Sequence, residues 1–145
     1  MFSSATKFSA VVAVVVSSVA LLAVPATAIP INTTVSARAT FAGDGTFYEA
    51  GIGACGIVNT DADLIAAVGH GTFDTFPGAT ANPNLNPICG KKIIANFGGK
   101  SVTVAITDRC AGCAGAADLD FTPTAFGLLA DLSVGRIHGV TWDFA

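Results

Sequence analysis

Apolar and polar residues alternate most clearly over Ser101 to Thr107 (SVTVAIT), where Val102, Val104 and Ile106 share one face. That is the pattern of a half-buried strand. Lys91 to Phe97, with Ile93, Ile94 and Phe97, predicts a strand before it, and Gly98-Gly99 predicts the hairpin turn between the two. Ile137 to Phe144 predicts a last strand and Thr46 to Ala50 an early one. In that early strand Thr46, Tyr48 and Ala50 fall on one face, Phe47 and Glu49 on the other. Gly43-Asp44-Gly45, within Arg38 to Phe47, reads as a turn between two β-prone pieces. Gly51, Gly53 and Gly56 around Cys55 predict a tight, backbone-led turn. The period changes after Thr122, which suits a helix N-cap. Pro123 fits the first helical position, and Phe126, Leu129 and Leu132 form an apolar stripe. Asp61 to Gly69 fits either a short helix capped by Asp61 or a buried strand, with composition leaning to helix. His70 to Pro87 reads as an 18-residue loop anchored by Phe73 and Phe76, long enough to border a binding site. Ser133-Val134-Gly135 predicts a turn. Strands dominate, turns are Gly-rich, and no βαβ rhythm or internal repeat appears. A small closed β-barrel is the natural architecture.

The N-terminus departs from this pattern. Lys7 is the one charge ahead of an apolar run from Ala10 to Val24, and Ala26-Thr27-Ala28 offers a small-residue cleavage site. This reads as a secretory signal peptide over 1–28. The run of 15 residues falls short of the ~20 a membrane-spanning helix needs, so no membrane association is expected after cleavage. Residues 29–37 read as a flexible lead-in and 38–145 as the single folded domain. Asn32-Thr33-Thr34 is a possible glycosylation sequon in the lead-in. With 7 basic and 10 acidic residues and a net charge of −3, the chain has no electrostatic case for nucleic acid or an anionic membrane. A neutral partner and a monomeric state are expected.

All four cysteines follow the cleavage site, and an even count in a secreted chain implies two disulfides. Three connectivities are possible; Cys55–Cys89 with Cys110–Cys113 is favoured. Cys110-x-x-Cys113 could instead be a redox centre or half of a zinc site. However, a second ligand pair at zinc spacing is lacking, and the strand–CxxC–helix context of a thioredoxin-like motif is absent. No metal and no cofactor are expected.

Candidate chemistry concentrates in Ile106 to Leu132. Asp108 stands at a strand end, and Asp118 and Asp120 are two apart, so in an extended segment both carboxylates point to one side. Each acid also has a plainer reading. Asp108 could tie down the Cys110 loop through backbone N–H groups. Asp120 could support the start of the Pro123 helix, and Asp118 reads as a solvated loop acid. Arg109 could pair with one of the three. His70 and His138 read as ordinary surface or strand residues, and Trp142 as barrel packing.

In order along the chain, TFYEAG, GACG, CGKKI, VTVAITDRCAGCAGAADLDFTPTAF and GRIHGVTW resemble the six-stranded double-psi β-barrel of the expansins. The likeness is strongest to small secreted fungal loosenin-like proteins; relatives include barwin, the rare-lipoprotein-A-like domains and the family 45 endoglucanases. The resemblance spans nearly all of Ala39 to Phe144. It implies a mainly β fold, a six-stranded double-psi β-barrel with one or two short helices, and makes Asp63 to Val68 a barrel strand against its local composition. Expansins carry a second, polysaccharide-binding domain; here the chain is expected to act with the barrel alone. The resemblance also implies a substrate-binding groove of Thr46, Tyr48, Asp108 and Asp120, with Asp120 at the general-acid position of the endoglucanases. Their base position falls on Ala50, whose methyl group cannot take a proton, and the neighbouring Glu49 faces the other way. Inverting hydrolysis needs both carboxylates, so a non-hydrolytic protein that binds and loosens β-glucan or chitin is expected. A tyrosine of the expansin groove is replaced by Cys110. The competing expectations are a barwin-like protein-binding module, a protease inhibitor or secreted effector working through exposed loops, and a peptidoglycan lytic transglycosylase, whose extra motifs are not found.

Overall fold

The structure is a computed structural model and describes residues 40–145. The expected signal peptide, lead-in and Asn32 sequon lie outside the described residues.

Six strands close into a barrel. They are β1 (Phe41–Phe47), β2 (Ile65–Gly69), β3 (Lys92–Phe97), β4 (Lys100–Cys110), β5 (Leu119–Phe121) and β6 (Ile137–Phe144), in the order β1-β5-β2-β4-β3-β6. β1/β5 and β2/β4 pair in parallel; the other four ladders are antiparallel. This is the mainly β, double-psi barrel architecture, and it carries two short helices, α1 (His70–Thr75) and α2 (Pro123–Leu129). The core takes alternate residues of the antiparallel strands: Ile93 and Ala95, Val102, Val104 and Ile106, and Val140 and Trp142. Alternation follows because each such strand has one face in the barrel and one in water. β2 is buried at every position. α2 adds Phe126 and Leu129 to the core, Phe126 resting 5.1 Å from Phe47 between ring centroids. Phe41 stacks on Trp142 at 4.1 Å, and Phe144 meets both rings edge-on. Two disulfides are present, Cys55–Cys89 and Cys110–Cys113.

Most predicted elements stand near their expected bounds, and the departures have physical causes. Within Asp61 to Gly69 the chain forms the strand Ile65–Gly69, as the family resemblance implies and against the helical lean of its local composition; the candidate helix cap Asp61 instead accepts the Ala50 N–H on its Oδ1 at 2.8 Å. Gly43-Asp44-Gly45 is not a turn. β1 runs through it with a register shift against β6 between Gly43 and Asp44. Its glycines serve close packing: a Cβ on Gly43 would stand 2.6 Å from the Ala117 carbonyl, and one on Gly45 2.9 Å from Ile137 Cγ1. The expected strand Thr46 to Ala50 ends at Phe47, with Tyr48 adding one bond, N–H to Phe121 O, at 2.9 Å. The expected loop His70 to Pro87 begins with α1, which buries Phe73 and closes with a Thr75 Oγ1 bond to Gly71 O at 2.6 Å. α2 begins as predicted, Thr122 capping Ala125 N–H with Pro123 at its first position. It stops three residues before Leu132, because Ala130 is extended and Asp131 caps a separate 3₁₀ turn. Leu132 is therefore exposed rather than part of the apolar stripe.

Trp142 is fully buried, and its indole N–H donates to Ala117 O at 2.8 Å. Trp142→Ala is expected to cost about 3–5 kcal/mol in urea unfolding. Replacing Cys55 and Cys89 by alanine together is expected to cost about 3–4 kcal/mol, because the bridge closes a 34-residue span.

Candidate functional site

The parallel ladder of β1 and β5 sets Thr46 beside Asp120. Their side chains meet on the outer face, where Thr46 Oγ1 donates to Asp120 Oδ1 at 2.6 Å. Ala67 of β2 is the register partner of Asp120 on β5 and of Asp108 on β4. Strand order therefore sets the two carboxylates on either side of one methyl group. A larger residue at 67 would fill the space between them. Around this pair lies a cleft of about 290 Å³. Thr46 and Tyr48 line one side, Asp108 and the Cys110–Cys113 loop another, and Asp120 and Arg136 close it. Among the described residues no group of three or more His, Cys, Asp or Glu side chains is placed to hold a metal ion.

The electrostatics follow from partial burial. Desolvation pushes the Asp120 carboxyl above the usual carboxylate range, the Thr46 hydrogen bond and Arg136 oppose this, and the Asp108 charge adds to it. Burial, and then the Asp108 carboxylate, push the Tyr48 phenol well above its ordinary value, so it stays a hydrogen-bond donor. Asp108 serves two purposes. Its Oδ1 accepts the backbone N–H of Ala54 and of Arg109, both at 2.7 Å, while its side chain also borders the cleft.

Several residues stand elsewhere than their sequence context implies. Asp118 is not a solvated loop acid. It is buried, and its carboxylate accepts the N–H of Asp44 at 2.9 Å and of Gly115 at 2.7 Å. Arg109 pairs with none of Asp108, Asp118 and Asp120; its guanidinium grips Asp74 of α1 with two bonds of 2.7 and 2.6 Å. His138 is an exposed strand residue of β6, as read from the sequence; its Nδ1 lies 2.9 Å from Asp44 Oδ1, and Arg136 Nη1 lies 3.2 Å from Oδ2. The two hold the Asp44 carboxyl below the usual range, His138 first. Glu49 points to solvent, and Asp61 is the acid that reaches Ala50, through its backbone. Ala67, Arg136 and Asp61 were not among the sequence candidates. Each reaches the site through strand order or loop folding, for which their local sequence carries no signal.

No family model matches the chain. It is 32% identical over 133 residues to the papain inhibitor of Streptomyces mobaraensis, covering 87% of this chain and 82% of that protein. The chain belongs to the family of that papain inhibitor. An allergen Asp f 7 homolog of Arthroderma benhamiae is 38% identical over 120 residues, 70% of this chain but only 38% of the relative's length. Among solved structures, a Streptomyces papain inhibitor superposes with a TM-score of 0.65 at 29% identity, covering 73% of this chain and 94% of that one. An expansin from Clavibacter michiganensis, solved with cellohexaose, superposes at 0.57 with 22% identity, over 73% of this chain and 50% of that one. The expansin shares the fold. Membership of the papain-inhibitor family, with two disulfides, suits an oxidising compartment.

The raised Asp120 pKa carries a pH consequence. In the unfolded chain this group loses its proton at lower pH than in the barrel, so the barrel is penalised as pH rises through that window. Asp120→Asn removes the penalty. Its stability relative to wild type is expected to increase between pH 3 and pH 7, measured as the difference in urea midpoints; a constant difference would show that Asp120 is not desolvated.

Proposed function

We propose that the protein is a secreted, non-hydrolytic, loosenin-like module whose cleft binds a β-linked glucan or chitin chain and loosens cell-wall contacts. The observation that carries this reading is the half-buried Asp120 held by Thr46, within a cleft that also offers Tyr48, Asp108 and Arg136. Two carboxylates accept hydrogen bonds from sugar hydroxyls, a phenol and a guanidinium donate them, and the Tyr48 ring offers a face to a pyranose. The expansin solved with cellohexaose supports the fold, and the cleft residues support the ligand class. Hydrolysis is unsupported on the base side. Ala50 has no proton acceptor, the Asp61 oxygen nearest it is taken by the Ala50 N–H, and Asp108 Oδ1 is taken by two backbone N–H groups. Secretion with cleavage after Ala28 belongs to the same reading, and N-terminal sequencing of the exported protein is expected to begin at Ile29.

The test is retention of the oxidised protein on insoluble cellulose and on chitin, with soluble reducing sugar assayed in the same tubes. Asp120→Asn is expected to weaken retention about tenfold, in line with the ~1.5–3 kcal/mol of a hydrogen bond to a charged group, and wild type is expected to release no sugar. Sugar release by wild type would overturn the non-hydrolytic reading. Equal retention of wild type and variant would remove the cleft from binding.

A second reading is favoured by a separate observation. The family relative that matches over most of its length is named a papain inhibitor, which favours inhibition of a cysteine protease. Papain activity titrated with the wild-type protein tests it directly.

A further inference from the structure

Residues 50–60 and 75–90 carry no charged side chain, and the fold brings these two loops together. Cys55 is bridged to Cys89, and Asn84 lies directly against Gly56. The first loop is a small hairpin. Ile52 and Val58 pair across a β-bridge, Gly53 N–H donates to Ile57 O at 3.0 Å, and Gly56 turns the chain at φ +72°. Its turn is pinned to the barrel by Cys55 N–H to Thr107 O and by Ala54 N–H to Asp108. At its open end the aliphatic side chains are exposed: Ile52 is 76% exposed and Val58 74%, and Leu85 of the neighbouring loop is 68% exposed.

From this we infer that the exposed side chains of the Ile52–Val58 hairpin, with Leu85 of the neighbouring loop, form a protein-docking surface, and that its partner is a papain-like cysteine protease. The inference rests on the inhibitor reading above and adds the surface that would perform it. Two features choose the partner's chemistry. Depletion of charge with exposed aliphatic residues marks the core of a protein interface. A polysaccharide platform would present aromatic rings, and Ile52, Val58 and Leu85 present none. The disulfide and the backbone bonds hold the loop in one shape, which lowers the ordering cost of binding.

The test measures the inhibition constant toward papain for wild type, Ile52→Asp/Val58→Asp, Leu85→Asp, and Leu128→Asp, which changes an exposed leucine of α2. The hairpin double variant is expected to weaken inhibition at least ~30-fold, the scale of an interface hot spot, and Leu85→Asp to weaken it less. Leu128→Asp is expected to match wild type. The exposed positions should leave the thermal midpoint unchanged; if the double variant unfolds, Leu85→Asp decides alone. Inhibition that survives both the hairpin and the Leu85 variants would overturn the docking surface and leave the inhibitor reading standing. Failure of wild type to inhibit papain would overturn both. Co-sedimentation with phosphatidylcholine vesicles that is lost in the double variant, with papain inhibition intact, would reassign the patch to a lipid surface.

Discussion

The structure depends on the parallel pairing of β1 with β5. β5 is three residues long, too short to hold its register by its own ladder. Its start is instead clamped by Asp118, whose buried carboxylate ties Asp44 of β1 to Gly115 of the preceding loop, while Trp142 of β6 holds Ala117 O. A buried acid with two backbone donors satisfies the rule that interior charge needs hydrogen bonds. With that clamp set, Thr46 and Asp120 fall opposite one another and the cleft is defined.

The cleft and the hairpin divide the protein's surface by chemistry. One is a polar, charged cleft; the other, with the neighbouring loop, exposes Ile52, Val58 and Leu85 and carries no charge. They meet at Asp108, which borders the cleft on one side and holds Ala54 of the hairpin on the other. On the two proposed readings, sugar recognition belongs to the cleft and protein recognition to the hairpin, two sites carried by one barrel.

Where local periodicity was strong, the sequence was legible. β3, β4, β6 and the Thr122-Pro123 helix start follow from alternation, a Gly-Gly turn and a cap. What was hidden depended on neighbours distant in the chain. Gly43 and Gly45 look like turn residues, and only the approach of Ala117 and Ile137 shows that they are packing sites. Asp61 looks like a helix cap until the Ala50 N–H takes it. Thr46, Tyr48, Asp108 and Asp120 were found through a family likeness. Ala67, the methyl between the two carboxylates, could be found only from the strand order. Arg109 sits next to one acid in sequence yet pairs with another, because α1 brings Asp74 to it.

One consequence of the strand order concerns time rather than space. Of the six ladders, only β3–β4 joins neighbours in the chain through a short turn. The seam that closes the barrel joins Phe41 to Trp142, almost the whole length of the folded segment. Loop-closure entropy must be met before those contacts return anything, so the topology belongs with domains that assemble in milliseconds to seconds rather than microseconds.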